Sequence, residues 1–276
     1  MKQLLNIRSN ECREQLEGCR GMRKLYIIGI GAGDPEQITV QAIRAMNAVD
    51  VFFFMNKGDA KSDLVRLRKE ICERYIDQRT YRIVEVTDPE RDPSIASYAV
   101  RVEAWHQQRA IIYEELIERE LGEGDCGAVL VWGDPSLYDS TLRVINHVIE
   151  RGKISFDYEV IPGITSVQVL AARHKIVLNG IGESICITTG RQLAAAGLPV
   201  DTENVVVMLD GNSSFKGLAD QDVTIYWGAY VGTEKEILLS GKLGDLAEII
   251  EKTRHEVRKS NGWIMDIYLL RKPALV

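Results

Sequence analysis

The hydrophobic positions of this chain follow two alternating rhythms. Short continuous apolar runs read as strands buried on both faces, and between them apolar residues recur at helical spacing. In the first half the predicted strands are Leu25-Tyr26-Ile27-Ile28-Gly29-Ile30, Val51-Phe52-Phe53-Phe54, Tyr81 to Val86, Ala128 to Trp132, and the shorter Tyr158-Glu159-Val160-Ile161. Helices are expected from Ile38 or Thr39, over 61–78, over 95–121 and over 140–151. In the first, Ile43, Met46 and Val49 face inward; in the second, Leu64, Leu67, Ile71 and Tyr75 do so on an otherwise solvated helix. Such alternation predicts an open, mainly parallel sheet with helices on both faces. After Pro162-Gly163 the rhythm changes. Strands at 184–189, 204–209, 223–230, 236–240 and 264–270, with shorter helices near 190–197 and 244–257, predict a second α/β domain with a mixed sheet. The expected organisation is an N-terminal extension over 1–21, one α/β domain over 22–162 and another over 163–276. The extension is polar and lacks the apolar stretch of a signal peptide, so it is expected to be peripheral or a short helix.

The pattern is organised around the run from Ala128 to Tyr138. Its apolar strand stops at Gly133-Asp134-Pro135, which cannot continue a central strand. Asp139-Ser140-Thr141 then opens a helix. A buried parallel strand ending this abruptly leaves backbone groups open at the carboxyl edge of the sheet, where open α/β sheets bind ligands. The plain alternative is a tight turn with no ligand.

Composition narrows the choice. The 276 residues carry a net charge of −6, against a nucleic-acid-binding surface, and no apolar run is long enough to span a bilayer. Cys12, Cys19, Cys72, Cys126 and Cys186 are scattered, odd in number and without C-x-x-C spacing, so neither a zinc site nor a disulfide framework is expected. The four histidines form no H-E-x-x-H pattern, and no metal site is predicted. Cytoplasm is the simplest compartment.

Gly29-x-Gly31-x-Gly33 after the first strand suggests dinucleotide binding, but the third glycine of that fingerprint falls on Asp34. A carboxylate there repels a pyrophosphate, and Pro35 delays the helix whose N-terminus would bind it. What the loop offers is close approach of a bulky substrate to Gly31 and Gly33, with Asp34 presented at a strand end. An Asp-Pro turn satisfying its own backbone is the bland alternative.

Five segments occur together in a known order: Gly29-Ile30-Gly31-Ala32-Gly33-Asp34-Pro35, Gly133-Asp134-Pro135, Pro162-Gly163-Ile164-Thr165-Ser166, Val205-Val206-Val207-Met208-Leu209 and Gly262-Trp263-Ile264. In this order and spacing the chain resembles the tetrapyrrole methylase family, S-adenosylmethionine-dependent enzymes of corrin and sirohaem synthesis, over about residues 23–270. Three more segments are similar to one member in particular, which methylates C1 of precorrin-5 and releases the ring's acetyl group as acetate. They are Trp105-His106-x-x-Arg109-Ala110, Gly133 to Thr141, and Gly228-Ala229-Tyr230-Val231-Gly232-Thr233-Glu234.

The resemblance implies two α/β domains with S-adenosylmethionine folded into the cleft between them, S-adenosylhomocysteine as product, a tetrapyrrole substrate and a homodimer. It places the cofactor against Trp132, Gly133, Asp134, Pro135, Leu137 and Tyr138, the hydroxyls of Thr165 and Ser166, Met208 and Leu209, Ala229 and Tyr230, and Gly262 and Ile264. Each has an ordinary reading: Thr165 or Ser166 as an N-cap, Met208 as core. Relatives acting on another tetrapyrrole, or a binding module that keeps the fold without turnover, stay open.

One signal is independent of the family. Val102, Trp105, Arg109, Ile112 and Leu116 recur at spacings of three and four, so Arg109 interrupts an apolar stripe, and His106 and Tyr113 lie within about 60° of it. Arg binds carboxylates bidentately, and precorrins carry many, so Arg109 and Tyr113 are candidate substrate ligands. The alternative is an arginine that snorkels to water. Removal of an acetyl group requires water to attack its carbonyl, aided by a general base. Asp34 is the first candidate and His106 the second.

Overall fold

The computed structural model describes residues 21–56, 62–77 and 80–273, with only the backbone described for 62–64. The expected N-terminal extension, its last residue apart, lies outside the described residues. The first compact unit takes the described chain up to Ile30, from Thr39 to Asn56 and from Leu64 to Gly163; the second takes Gly31–Ile38, Ser62–Asp63 and the described chain from Ile164. The glycine loop and the first two residues of the helix at Ser62 are thus exceptions to a division that otherwise falls after Gly163.

The first unit is built on β1 (Lys24–Gly29), β2 (Val51–Asn56), β3 (Arg82–Thr87), β4 (Cys126–Val131) and β5 (Asp157–Ile161), in the order β3-β2-β4-β1-β5. Every pairing in it is parallel. The apolar runs show why: from their second residues on, β1 and β4 are buried without interruption, as strands covered on both faces must be. The helices are α1 (Val40–Met46), α2 (Ser62–Tyr75), α3 (Tyr98–Glu120) and α4 (Thr141–Arg151). Tyr113, Leu116 and Ile117 of α3 join Val144, Ile145 and Val148 of α4 over Leu25, Ile27, Phe53, Val129 and Val131. Each such fully buried side chain contributes about 1.5–3 kcal/mol.

The second unit holds α5 (Ser166–His174), β6 (Ile185–Thr189), α6 (Gly190–Ala196), β7 (Asn204–Met208), β8 (Thr224–Ala229), β9 (Ile237–Lys242), α7 (Leu243–Asn261) and β10 (Asp266–Arg271). Its sheet runs β6-β7-β10-β8-β9. Only β6 and β7 are parallel; β10 is antiparallel to both β7 and β8, and β8 to β9, so the sheet is mixed. Phe215 and Leu218, from a short 3-10 turn the hydrophobic pattern does not announce, complete a core with Trp227, Tyr268, Leu243 and Ile250.

Candidate functional site

At the carboxyl edge of the first sheet, β4, β1 and β5 end side by side: Gly29 is level with Val131, and Ile28 with Ile161. The chain leaves these ends with almost no space between backbones. A Cβ on Gly163 would lie 2.1 Å from the Gly133 carbonyl oxygen, and one on Gly29 would lie 2.6 Å from the Gly163 nitrogen. Only glycine fits at either position. Asp134 then ties two of the strand ends together. Its Oδ2 accepts the Gly163 N–H at 2.8 Å, and its Oδ1 accepts the Ser136 N–H at 2.8 Å together with the Ser136 hydroxyl.

Partial burial pushes the Asp134 carboxyl up, but the bonds from Ser136 and Gly163 outweigh it and hold it below the usual carboxylate range. With the folded value depressed, the stabilisation is present above the unfolded value, near pH 4, and is lost as pH falls through the folded one. Asp134→Asn is therefore expected to cost about 1–3 kcal/mol at neutral pH. The gap from the parent should narrow at about pH 3, below the unfolded carboxylate pKa. Urea unfolding at both pH values measures it; a gap independent of pH would rule out the carboxylate as the clamp.

The turn that follows holds a bulky residue in the left-handed region. Tyr138 has φ +52° and is 42% exposed. In the second unit Leu209, directly after β7, has φ +54° and is 65% exposed. A bulky residue in the left-handed region costs of order 1 kcal/mol or more, and such strain gathers at ligand sites. Leu209 leaves an apolar side chain largely in water on a strained backbone, which needs some other reason to be there. Trp132 adds a third oddity: its indole nitrogen is buried with no hydrogen-bond partner among the described residues. Pro135 is buried and Leu137 half-buried between these points.

The other expected cofactor residues have clear places in the second unit. Thr165 is the N-cap of α5, its hydroxyl taking the Val167 N–H at 3.1 Å while Gln168 reaches back to the Thr165 N–H at 3.1 Å. Ser166 opens the same helix. Met208 ends β7, half-buried. Ala229 ends β8 and is buried, as is Tyr230, whose hydroxyl donates to the Trp263 carbonyl and whose ring meets Trp263 edge-on at 5.3 Å. These two can offer a ligand only their backbone. Ile264 packs on the core. Gly262, at φ +76°, is the left-handed residue that ends α7, which accounts for it without a ligand.

Several expectations need correction. Gly31 and Gly33 are not open to a substrate: a Cβ on Gly31 would lie 2.8 Å from the Gln37 Cβ, and one on Gly33 would lie 2.5 Å from the Thr233 Cγ2. They are glycines because the loop folds on itself and on the Val231–Thr233 turn. Asp34 caps the short Pro35–Gln37 turn, with Oδ1 accepting the Glu36 N–H at 2.9 Å, so the bland reading holds for that oxygen. Arg109 does not snorkel to water, nor is its charge held ready for a substrate. Its side chain is 6% exposed, with Nε 3.0 Å from Asp88 Oδ1, Nη1 donating to Ser140 Oγ at 2.7 Å and the guanidinium 4.7 Å over the Trp105 ring. It joins α3 to the loops following β3 and β4. Tyr113 is wholly buried in the core, where desolvation pushes its phenol up to about 12, so it is not a substrate ligand. His106 is buried in the seam of α3 with α4, its ring 6.4 Å from that of His147, and burial lowers its pKa. It therefore faces α4 and gives way as a general base.

Sequence reasoning missed the role of Asp134 as a clamp on Gly163, because the two are 29 positions apart. It also missed a buried polar network that includes Asp210, the residue after Leu209. Arg254 Nε lies 2.9 Å from Asp266 Oδ2, Tyr268 donates to Asp210 Oδ2 at 2.6 Å, and Arg254 also donates to the Asp210 carbonyl. A lone arginine on an amphipathic helix carries no signal of such burial.

Comparison with known proteins follows the same lines. The model of the Tetrapyrrole (Corrin/Porphyrin) Methylases matches residues 24–247. Precorrin-6A synthase [deacetylating] of a Sinorhizobium species is 50% identical over 254 residues, covering 92% of this chain and 97% of the relative. The crystal structure of a cobalamin-synthesis-related protein from Corynebacterium diphtheriae is 40% identical with a TM-score of 0.78, covering 91% of this chain and 98% of that one. A uroporphyrin-III C-methyltransferase from Thermus thermophilus, solved with S-adenosylhomocysteine, has a TM-score of 0.55 at 16% identity over 90% of this chain and 92% of that one, a likeness of fold alone.

Proposed function

This chain belongs to the tetrapyrrole (corrin/porphyrin) methylase family, and from that premise we propose that it methylates C1 of precorrin-5 with release of acetate, forming precorrin-6A in cobalamin synthesis. The observation that carries the reading is the 50% identity to a precorrin-6A synthase over nearly the full length of both chains. Its methyl donor is S-adenosylmethionine, which supplies an electrophilic methyl on a sulfonium when bound.

The residues fit that cofactor. In the first unit the peptide groups of Gly133–Pro135 lie at the carboxyl edge of the sheet, beside a buried indole N–H in want of an acceptor. In the second unit Met208 and the exposed Leu209 offer apolar surface for a nucleoside, and Thr165 with Ser166 offers a capped helix start for a carboxylate. Tyr138 and Leu209 hold strained backbone in place before any ligand arrives, so much of the catalysis is positioning.

Water attacks the acetyl carbonyl, the carbon–carbon bond to the ring breaks, acetate leaves, and the bonding pair enters the conjugated macrocycle, making C1 nucleophilic. We assign the water's proton to Asp34, whose Oδ1 is engaged by the Glu36 N–H. Asn keeps that acceptor and removes the base. Asp34→Asn is thus expected to bind S-adenosylmethionine as the parent does, while slowing acetate and S-adenosylhomocysteine formation together by roughly 10²–10⁴-fold. Both products are measured from one reaction on precorrin-5. Parent yields far from one-to-one break the coupled mechanism, an unimpaired variant removes Asp34 from it, and cofactor binding with no product points to a binding protein of the same fold. The same reading makes the enzyme a cytoplasmic homodimer. Light scattering at the 31.0 kDa of one chain would remove the dimer. Among the described residues no helix is long and apolar enough to cross a membrane.

A further inference from the structure

We propose that Glu103, His106 and His147 form a binding site for a first-row divalent transition-metal ion of the zinc class, joining α3 to α4. Glu103 and His106 stand one turn apart on α3, and His147 lies across the seam on α4. One ligand atom from each falls within 4.8 Å of the others. His147 Nε2 is 3.2 Å from Glu103 Oε1. Two ligand atoms bound tetrahedrally to one zinc at its usual bond lengths are roughly 3.3 Å apart. Two imidazoles and a carboxylate leave coordination positions for water and suit zinc, iron, nickel or cobalt better than magnesium or calcium.

The surroundings fit a metal ligand. The other nitrogen of His147, Nδ1, is 3.3 Å from Glu150 Oε2. Carboxylates so placed orient metal-bound histidines and fix their tautomer. Both ring nitrogens of His147 thus face carboxylate oxygens. A metal ion at Nε2 would take the place of one of the two protons needed to satisfy both. His106 is 4% exposed and held by the helix seam, whereas Glu103 is exposed, which gives the ion a rigid inner ligand and a path of entry. Gln107 also donates to Glu103 Oε1 at 3.3 Å, a bond the carboxylate can keep on its second lone pair. The charges near His106 include Arg109 and Arg143; Arg109 is met by Asp88, and Arg143 is exposed to solvent.

The test uses the full-length protein without a histidine tag, near neutral pH. Calorimetry with Zn2+ gives stoichiometry and affinity, and Co2+ serves as the spectroscopic probe. One ion per chain is expected, with Co2+ bands of nitrogen and oxygen ligation and no thiolate charge-transfer band. Glu150→Gln is expected to weaken binding by roughly ten- to a hundredfold. His147→Gln and Glu103→Gln, both at accessible positions where folding is checked by circular dichroism, are expected to weaken it more. No uptake of Zn2+, a thiolate band placing the ion on cysteine, or affinity unchanged in His147→Gln and Glu103→Gln would overturn the site.

Discussion

Gly163→Ala is expected to lose at least about 3 kcal/mol of stability, the upper end of the range for overpacking, and to lose S-adenosylmethionine affinity with it. The added methyl has nowhere to go. Its carbon falls 2.1 Å from a carbonyl oxygen and 2.8 Å from the Gly29 backbone, and backbone atoms cannot rotate aside as a side chain would. Relief requires the β4 and β5 ends to part, which breaks the Asp134 bond to the Gly163 N–H and reshapes the turn proposed to carry the cofactor. The effect opposes the ordinary consequence of Gly→Ala, a gain from a stiffer unfolded chain. Gly217→Ala is the control: nothing lies within 4 Å of its Cβ position, and it should stay within about 0.5 kcal/mol of the parent. Denaturant unfolding and calorimetry on both variants decide it. Equal stability for the two would mean that the strand ends are not closed on each other.

Arg254→Leu is expected to cost about 3–5 kcal/mol, the penalty for breaking a buried ion pair from one side. The side chains of Arg254 and Asp266 are 8% and 4% exposed, with nitrogen–oxygen distances of 2.9 and 3.2 Å. Removing the guanidinium leaves the Asp266 carboxylate with the Trp227 indole N–H, at 2.8 Å, as its remaining hydrogen bond in this network. It also withdraws the donor from the Asp210 carbonyl, next to Leu209. The loss should therefore reach cofactor binding as well as stability. Arg254→Lys should recover little, because an ammonium cannot fork between Asp266, Ser213 and the Asp210 carbonyl. Adding Asp266→Asn to Arg254→Leu should recover part of the cost, since the amide keeps an acceptor for the indole and sheds the stranded charge. A double variant no more stable than Arg254→Leu would show that the charge is not what makes the single variant costly.

The two networks differ in how far a sequence can show them. The strands and most of the helices were legible because their signals are local. Continuous apolar runs mark strands covered on both faces, and Thr165 three places before Gln168 marks a helix start. The change of rhythm after Gly163 separated a parallel from a mixed sheet, because parallel strands need helical crossovers and antiparallel ones do not. The ordered strand-end motifs named the family and hence the cofactor.

What the sequence misassigned is tertiary in origin. Gly31 and Gly33 read as room for a substrate, but the room is taken by Gln37 and Thr233. Arg109 read as a charge free to bind a ligand, but Asp88 supplies its counterion from 21 positions upstream. Glu103 and His106 are visibly one helical turn apart, yet His147 becomes their neighbour only when α4 packs on α3. By itself, then, the sequence determined secondary structure, sheet type and family, since each depends on residues close in the chain or on ordered motifs. The tertiary structure alone decided which glycines are crowded, which charges are paired and which side chains converge. Those depend on distances between residues whose separation along the chain carries no record of them.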